Sequence, residues 1–470
     1  MKRKILYLLL ALPLAANAQY RSEVWCPDNG DGTYTNPVIN ADYSDPDRGV
    51  FRVTATNPAG PWSEPLCVIP GKGMIDTTPL WDDDGRCYLV NGWANSRSRF
   101  ASVLTVRELD SEGKRPISDP VIVFDGNGTE NRTCEGPKFY KRDGWYWIMC
   151  PAGGVPTGFQ LAMRAKSPYG PYESKVVLAQ GTTAVNGPHQ GGWVHTSQGE
   201  DWFLHFQDKE CYGRVVHLQP VTWKDNWPVM GKVPAKGYCG EPVITWRKPK
   251  TAGNVQVVNP VESDEFNEPR LGLQWQWHAN YDQKFGMPTA FGTYRIYTHK
   301  VSEQYANLWE VPNLLLQKTP ADNFTATTRL RFTSKADNQV GGLLVMGLDY
   351  FALTLKRVGN KFLLQLVTCK SADKGTPEQV TTIATLNPTE VDKIDYQPGI
   401  HKDIWLRVRV ADGQCRFSYS TNGKKYQDAG QSYTLREGKW IGAKVGLMAI
   451  EPAGKTNRGW IDADWFRITK

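Results

Sequence analysis

Residues 82–90 of the chain read DDDGRCYLV, residues 141–148 read KRDGWYWI, and residues 196–206 read TSQGEDWFLHF. Each segment is a glycine turn followed by a strand rich in aromatic residues, a pattern typical of a β-hairpin. The three turn glycines are 59 and then 55 residues apart. Repeats of this length, made of short strands and turns, indicate a β-propeller in which each repeat is one four-stranded blade. Independent hairpin domains are the alternative, but no linker separates the repeats.

A second marker repeats in the same region. Residues 57–62 read NPAGPW and residues 167–172 read SPYGPY. Both segments combine glycine with proline, which is a strong turn signal. The propeller interpretation therefore rests on two kinds of repeat, and it covers residues 19–246.

The composition of the sequence changes at residues 247–262. This stretch is polar and turn-rich, and we interpret it as a linker. Beyond it, residues 263–470 contain strands in which apolar and polar residues alternate, as in residues 406–410 (LRVRV). The dipeptide Asn422-Gly423 predicts a hairpin with a two-residue turn. We therefore predict an all-β protein in which a propeller precedes an antiparallel β-sandwich.

The first 18 residues have the pattern of a secretory signal peptide. Lys2, Arg3 and Lys4 precede an apolar run, and a small-residue cleavage site places the mature N-terminus at Gln19. The cleavage site has no cysteine, so a lipid anchor is not indicated, and no later apolar run reaches the ~20 residues of a membrane span. We expect export to the periplasm or the extracellular space.

The charge and the aromatic content of the chain indicate which classes of molecule it binds. The formal charge of +7 falls to +4 without the three cations of the signal peptide, and no block of like charges remains. Nucleic acid and a membrane surface are therefore not expected as partners. The 18 Trp and 20 Tyr residues suit both β-sheet cores and the apolar faces of sugar rings.

Nine cysteines are spread along the chain without a Cys-x-x-Cys pair. Several lie in apolar strand-like runs, so we interpret them as buried free thiols, although an odd number and wide spacing leave their pairing open. No ligand pair has the spacing of a zinc site.

Three acidic residues stand where blades begin. Asp45 precedes a proline, which holds it in an extended or turn conformation. Asp76 opens the strand that leads to the first repeated turn, and Glu135 opens the next blade 59 residues later. Equivalent positions of successive blades face the same central axis, so we expect these carboxylates to converge. Strand-start acids bonded to backbone N–H groups are the structural alternative for each residue alone, whereas paired carboxylates are what glycoside hydrolysis requires.

Five motifs carry a resemblance to a known family: NADYSDPD (40–47), GMIDTTPLWDDDG (73–85), TCEGPKFYKRDGWYWIM (133–149), GPHQGGWV (187–194) and GRVVHLQPVTW (213–223). They resemble glycoside hydrolase family 43, a family of five-bladed propeller β-xylosidases and α-L-arabinofuranosidases. The tail, with DEF at residues 264–266 and DADWFR at residues 462–467, is similar to the concanavalin-type sandwich of the same family. The resemblance covers nearly the whole mature chain.

The resemblance implies a role for each matching residue. Asp45 would be the general base, Asp76 the group that modulates the pKa of the acid, and Glu135 the general acid of an inverting reaction. His189 and Arg214 would bind substrate. No cofactor is required, but many members hold a calcium ion beside the histidine that His189 matches. Without the resemblance, His189 reads as a loop histidine and Arg214 as a surface cation.

The sequence departs from the family at one place. Five blades of this period need about 285 residues, whereas residues 36–233 supply 198. The junction at Asp47 and Arg48 joins a blade-start motif directly to a blade end, so the chain lacks roughly one and a half blades. An internal deletion or assembly error in the gene sequence is one explanation, and a natural degenerate member is the other. An open propeller exposes strand edges and a core face, and we expect weak or absent turnover.

Two functions therefore remain in view. The leading hypothesis is an exported glycosidase that removes xylosyl or arabinofuranosyl units from plant polysaccharides with inversion. The alternative is a non-catalytic carbohydrate-binding protein built from a propeller remnant and a lectin-like sandwich. A purely structural β protein leaves the spacing of the carboxylates unexplained. The oligomeric state is not indicated.

Overall fold

The computed structural model describes residues 49–58, 60–250, 252–253, 261–390, 399–454 and 458–470. The predicted signal peptide, Asp45 and the junction at Asp47 and Arg48 lie outside the described residues, as does part of the predicted linker. Within the described ranges, none of the helices is both long and apolar enough to cross a membrane.

The first half of the described chain forms one two-stranded and three four-stranded antiparallel sheets. In each four-stranded sheet, strands that neighbour one another in sequence are also neighbours in space, as expected of propeller blades. We call β3–β6 blade A, β7–β10 blade B and β11–β14 blade C. The strands are β1 (Gly49–Arg52), β2 (Leu66–Pro70), β3 (Met74–Trp81), β4 (Cys87–Trp93), β5 (Val103–Leu109), β6 (Val121–Asp125), β7 (Lys138–Arg142), β8 (Trp145–Ala152), β9 (Phe159–Ala165), β10 (Glu173–Ala179), β11 (His189–His195), β12 (Asp201–Asp208), β13 (Arg214–Lys224) and β14 (Trp227–Met230).

The hairpin of β1 and β2 corresponds to the outer half of a blade. The repeated NPAGPW and SPYGPY segments connect β1 to β2 and β9 to β10, respectively. The two turns have the same form, because Gly60 N–H donates to the Asn57 carbonyl (2.8 Å) and Gly170 N–H donates to that of Ser167 (3.0 Å). Within the described residues, β2 is the one strand that pairs with β1. The hairpin therefore stands where a third and fourth strand of a blade would be.

Apolar side chains hold the successive sheets together face to face. Val68 of the hairpin packs in one cluster with Leu89 of blade A, and Val90 of blade A packs with Ile148 of blade B. Trp147 of blade B and Phe203 of blade C belong to a third cluster. Each interface buries apolar residues of both sheets, which is the packing of a propeller.

Part of the far face of blade C is apolar and is not covered by any of the described residues. Leu204 and Leu218 are cross-strand partners, and Val194 and Val216 lie on the same face. These four side chains are 39–71% exposed, with Val216 the most exposed. Monomeric proteins bury most such residues. An exposed core face was predicted for an open propeller. Because residues 1–48 lie outside the described residues, the open propeller itself stays a prediction.

The second half of the described chain is an antiparallel β-sandwich, as predicted. One sheet has the order β15-β19-β29-β21-β22-β23-β24, with β18 added in parallel to β29. The other has the order β16-β17-β30-β20-β25-β26-β27, with β28 beside β26. Between the sheets lies a hydrophobic core that includes Phe332, Leu353 and Phe466. The strands are β15 (Gln276–Trp277), β16 (Gly286–Pro288), β17 (Tyr294–Tyr297), β18 (His299–Lys300), β19 (Leu315–Lys318), β20 (Phe324–Ser334), β21 (Val340–Met346), β22 (Tyr350–Val358), β23 (Lys361–Cys369), β24 (Gln379–Leu386), β25 (Ile400–Ala411), β26 (Gln414–Ser420), β27 (Gln427–Asp428), β28 (Tyr433–Thr434) and β29 (Lys444–Glu451), with β30 (Trp460–Thr469) last.

Helix is nearly absent from the described residues. There is one short α-helix and three 3₁₀ turns, which are α1 (Asn95–Ser98), Glu210–Tyr212, Leu308–Glu310 and Ala372–Lys374.

The predicted two-residue turn at Asn422-Gly423 is wrong in its length. The flanking strands pair Tyr419 with Gln427, so the dipeptide lies within a longer loop. The Asn422 side-chain oxygen accepts hydrogen bonds from the Lys424 and Lys425 N–H groups, which stabilises that loop. The Asn422 side chain thus accepts hydrogen bonds from nearby backbone N–H groups, and the dipeptide does not form a tight hairpin turn.

The propeller contacts the sandwich through the turn between β12 and β13. The Tyr212 hydroxyl donates to the Asp322 carbonyl (2.9 Å) and accepts from Gly413 N–H (2.7 Å). Cys211 is buried in the core of the sandwich, and its carbonyl accepts from Ala443 N–H. This contact fixes the turn immediately before Arg214.

We predict that the two faces of blade C differ in their tolerance of substitution. Phe203→Ala should destabilise the protein by about 3–5 kcal/mol because it empties a fully buried site. Val216→Lys should change the free energy of unfolding by no more than about 0.5 kcal/mol because that side chain is 71% exposed. Denaturant unfolding of the two variants measures both values. A loss of several kcal/mol in Val216→Lys would mean that another element covers this face.

Candidate active site

Three residues with left-handed backbone occupy the same place in the three blades. Asp76, Gly136 and Gln190 have φ values of 54°, 58° and 49°. Each lies two residues before the point at which the first strand of its blade pairs regularly with the second. Only glycine adopts this conformation without strain, and strained residues that persist in a fold concentrate at functional sites.

The shared backbone position shows which residues are equivalent. Asp76 of blade A corresponds to Gly136 of blade B, and Glu135 corresponds to His189 of blade C. The 59-residue spacing of the two carboxylates therefore differs by one residue from the structural repeat. The turn glycines of blades A and B also follow the 59-residue spacing instead of the structural one, because the hairpin turn of blade B has two residues, whereas those of blades A and C have five.

Asp76 links the three blades. Its Oδ2 atom accepts a hydrogen bond from Gly136 N–H (3.0 Å) and another from the Gln190 side-chain amide (3.3 Å). Burial raises the pKa of the Asp76 carboxyl above its ordinary value, and the nearby Glu135 charge raises it further. The two predicted acids are thus close enough for the Glu135 charge to oppose ionisation of Asp76.

Glu135 pairs with His189. The Oε1 atom of Glu135 and the Nε2 atom of His189 are 2.9 Å apart. His189 is 1% exposed, while the Glu135 side chain remains 27% exposed. A fixed, buried imidazole therefore orients a carboxyl group that can still be reached from outside, which is the arrangement that a proton donor to a substrate needs.

The glycine after Glu135 allows both a left-handed backbone and the close approach of the Gln190 side chain. A Cβ atom on Gly136 would lie 2.3 Å from the Gln190 side-chain oxygen, in addition to the left-handed backbone. Lys138 donates from Nζ to the Gly136 carbonyl (3.0 Å), and burial lowers the pKa of this amine while Asp76 raises it. Sequence reasoning missed Gln190 and Lys138, although both stand within the motifs that carried the resemblance.

Arg214 lies one aromatic ring away from this cluster. Its guanidinium is stacked 4.7 Å from the centre of the Phe206 ring, which in turn lies 5.5 Å from the His189 ring. Arg214 is exposed at the start of β13. The structure thus brings Asp76, Glu135 and His189 together and places Arg214 at their edge. Asp45 lies outside the described residues.

His189 is the residue beside which the resemblance implies a calcium ion. Its buried Nδ1 atom has no hydrogen-bond partner. Calcium, however, takes six to eight oxygen ligands, and no group of three or more His, Cys, Asp or Glu side chains within the described ranges could hold a metal ion. The described residues alone do not fit a calcium cage, so calcium stays a prediction and no step is derived through it.

The cysteines of the described region are all free, and seven of the eight are buried. Cys67 is the exception and is exposed. Cys134, directly before Glu135, lies with its Sγ atom 3.1 Å from that of Cys150. The buried thiols agree with the interpretation from sequence, and this pair packs beneath the segment that carries Glu135.

Comparison with known families assigns both halves of the chain. The family model described as glycosyl hydrolases family 43 matches residues 33–228. The model described as the beta xylosidase C-terminal concanavalin A-like domain matches residues 263–469.

Curated relatives align along most of the chain. A protein of Xylanibacter ruminicola named "Putative beta-xylosidase" is 33% identical over 440 residues, which are 92% of this chain and 75% of that protein. A beta-xylosidase of Formosa agariphila is 26% identical over 484 residues, covering 93% of this chain and 77% of the relative. A non-reducing end alpha-L-arabinofuranosidase of Bacteroides ovatus is 30% identical over 361 residues, covering 72% and 64%.

Solved structures share the fold. The crystal structure of a xylan beta-1,4-xylosidase from Bacillus halodurans has a TM-score of 0.73 at 21% identity, covering 89% of this chain and 80% of that one. A family 43 protein from Bacillus licheniformis gives 0.71 at 23% identity, covering 89% and 78%. The predicted order, a propeller followed by a β-sandwich, is therefore confirmed. The chain belongs to glycosyl hydrolase family 43, and it is a glycosidase of the β-xylosidase and α-L-arabinofuranosidase type.

Proposed function

We propose that this chain is an exported glycosidase that cleaves xylosyl or arabinofuranosyl linkages of plant polysaccharides with inversion of configuration. The general acid is Glu135, the general base is Asp45, and Asp76 modulates the acid. Export is proposed from the signal-peptide pattern of residues 1–18. The single observation that carries the proposal is the contact of a partly exposed Glu135 with a buried His189, beside a second carboxylate.

Glu135 is suited to protonate a leaving oxygen. A general acid must be held by the protein at one point and must reach the substrate at another. The His189 ring holds one carboxyl oxygen of Glu135, and the exposed part of the side chain leaves the other oxygen for the glycosidic bond. The Glu135 backbone is also tied, because its N–H donates to the Pro151 carbonyl of β8 (3.3 Å).

Asp76 acts on Glu135 as a neighbouring carboxyl group and through the backbone. The Glu135 charge raises the pKa of Asp76, so the two carboxyl groups are close enough to interact. The hydrogen bond that Asp76 accepts from Gly136 N–H fixes the residue next to the acid. Asp76 is therefore the residue that modulates the acid, and it holds Glu135 in the position from which the proton is delivered.

In the proposed mechanism, Asp45 removes a proton from a water molecule that attacks the anomeric carbon, while Glu135 protonates the departing oxygen. The two carboxyl groups of an inverting enzyme stand about 6.5–9.5 Å apart, which leaves space for that water. Part of one blade face is exposed among the described residues, and the sequence is about one and a half blades short of five, so we expect turnover below that of a family member with a closed propeller.

Glu135→Gln tests the acid. We expect kcat/KM on xylobiose to fall by about 10²–10⁴-fold because no proton reaches the leaving sugar. On a dinitrophenyl xyloside the loss should be much smaller, since that leaving group departs without protonation. Steady-state kinetics on both substrates, with the exposed Glu130→Gln as the matched control, measure the difference. Equal losses on both substrates would contradict the assignment, and saccharide binding without any hydrolysis would favour the carbohydrate-binding alternative.

The stereochemistry tests the proposed geometry. An inverting enzyme releases the α anomer first from a β-xyloside, because water enters opposite the leaving group. Proton NMR during the first minutes of hydrolysis, before mutarotation mixes the anomers, reports which anomer forms. Early accumulation of the β anomer would contradict inversion and would indicate a retaining mechanism with a covalent glycosyl-enzyme intermediate.

Asp76→Asn should raise stability at neutral pH. The raised pKa of Asp76 means that its ionised form costs folding free energy, and this cost is present in full above the folded-state pKa. As pH falls through that pKa toward the value of the unfolded chain, the wild-type carboxyl becomes protonated and the difference disappears. Thermal unfolding from pH 3 to pH 8 measures this, with the exposed Glu112→Gln as control. A gain in Tm that did not shrink at low pH would contradict the electrostatic cause.

A further inference from the structure

A groove lies on the outer face of the second sheet of the sandwich, away from Glu135 and His189. Its cavity has a volume of about 290 Å³. The sides come from β17, β20, β25 and β30, and the rim from the loop before β17. We call it the Arg–Asp groove, after the residues that line it: Arg295, Arg329, Arg331, Asp403, Asp462 and Asp464.

The floor of the Arg–Asp groove is a row of alternating charges across four strands. Arg295 is the cross-strand partner of Asp462, Asp462 of Arg331, and Arg331 of Asp403. Two nitrogens of Arg295 donate to the two oxygens of Asp462 (2.7 and 2.9 Å), and Arg331 does the same to Asp403 (2.8 and 3.1 Å). These two-point contacts hold the side chains flat and in fixed orientation.

A β-bulge supplies the third pair. The register of β20 against β30 shifts between Arg329 and Leu330, and the extra residue on β30 is Asp464. Arg329 donates to the Asp464 carboxylate (2.8 Å), and both side chains are more than one-third exposed. Bulges commonly redirect a side chain at a functional site. Here the bulge adds an acceptor to the groove that a regular ladder would not present.

The charges identify the class of ligand. Three arginines and three aspartates line the groove, so its side-chain charges cancel and an ionic ligand gains little from it. A guanidinium has five N–H donors and a carboxylate about four lone-pair positions, so pairing the two exhausts neither. A hydroxyl group both donates and accepts. Neighbouring donors and acceptors in a rigid row therefore suit a ligand with several adjacent hydroxyls.

The rim adds an apolar surface. Phe291 lines the groove and is 86% exposed. Exposure of an aromatic ring to water is unfavourable, because burial of its apolar surface would lower the free energy. The faces of sugar rings carry C–H groups that cover an aromatic ring, whereas their edges carry hydroxyls. We propose that the Arg–Asp groove is a second, non-catalytic binding site for a neutral saccharide, with Phe291 against the sugar face and the Arg–Asp row bound to its hydroxyls.

The groove volume limits what it holds. Sites for small molecules usually measure about 300–1,000 Å³, so this groove takes one or two sugar units of a longer chain that continues into solvent. Such a site would hold a polysaccharide near the propeller while hydrolysis proceeds elsewhere. Arabinoxylan is the first probe because of the proposed function, and that choice rests on it. The assignment of the groove to a neutral saccharide rests on the residues of the groove and is independent of the proposed function.

Affinity electrophoresis of the full chain tests the proposal. The Glu135→Gln protein is run through native gels that contain soluble arabinoxylan, hydroxyethylcellulose or polygalacturonate. Phe291→Ala and Arg329→Gln are added separately to this background. Arg416→Gln is the matched control, because Arg416 forms a similar surface pair with Asp428 (2.7 Å) on the same sheet but outside the groove.

We expect retardation in at least one of the two neutral polysaccharides, a loss of affinity of about tenfold or more in each groove variant, and no change in Arg416→Gln. Three results would overturn the proposal. They are no retardation in either neutral gel, retardation in polygalacturonate alone, and equal retardation of all variants. Hydrolysis is measured separately with Glu135 intact. Retained binding without hydrolysis would count against the proposed function and leave the groove standing.

Discussion

The hydrogen bond from Gly136 N–H to the Asp76 carboxylate is the contact on which the candidate site depends. It joins the first strand of blade A to the segment before the first strand of blade B, one residue after Glu135. Both residues have left-handed backbone, and they occupy equivalent positions of their blades. Gln190 of blade C completes the contact from a third left-handed position. Three blades thus converge on one carboxylate.

This convergence has an energetic cost. Asp76 and Gln190 each hold a conformation that costs non-glycine residues of order 1–3 kcal/mol. Asp76 is also partly desolvated beside a second acid, and both effects disfavour its ionised form. The apolar clusters between the blades, with fully buried residues such as Ile148 and Phe203, supply the stabilisation that offsets this. A site that is strained and like-charged is therefore stabilised by packing that has no part in the chemistry.

Among the described residues, the same packing is incomplete at the two outer sheets of the propeller. The β1–β2 hairpin offers only the outer strands of a blade, and no described residue covers Leu204, Val216 and Leu218 of blade C. The sandwich offsets part of this loss, because it receives Cys211 in its core and bonds Tyr212 from both sides. The candidate acid lies in blade B, where both neighbouring sheets are present. The geometry of Glu135 and His189 is thus formed in the better-packed part of the domain.

The sequence by itself determined the class of fold, the order of the two domains and the segments that form the site. Turn glycines, aromatic strands and alternating residues have fixed local periods, so they can be read without tertiary contacts. It also indicated that Asp76, Glu135 and His189 belong together. Tertiary structure alone decided that Asp76 is equivalent to Gly136, since hairpin turns of different length shift the repeat by one residue. It alone placed Gln190 beside the acids, because a left-handed φ at a non-glycine residue leaves no mark in the sequence. The contact of Lys138 with the Gly136 carbonyl likewise depends on side-chain packing. The row from Arg295 to Asp403 was equally hidden, because the register between strands far apart along the chain depends on how the whole sheet packs.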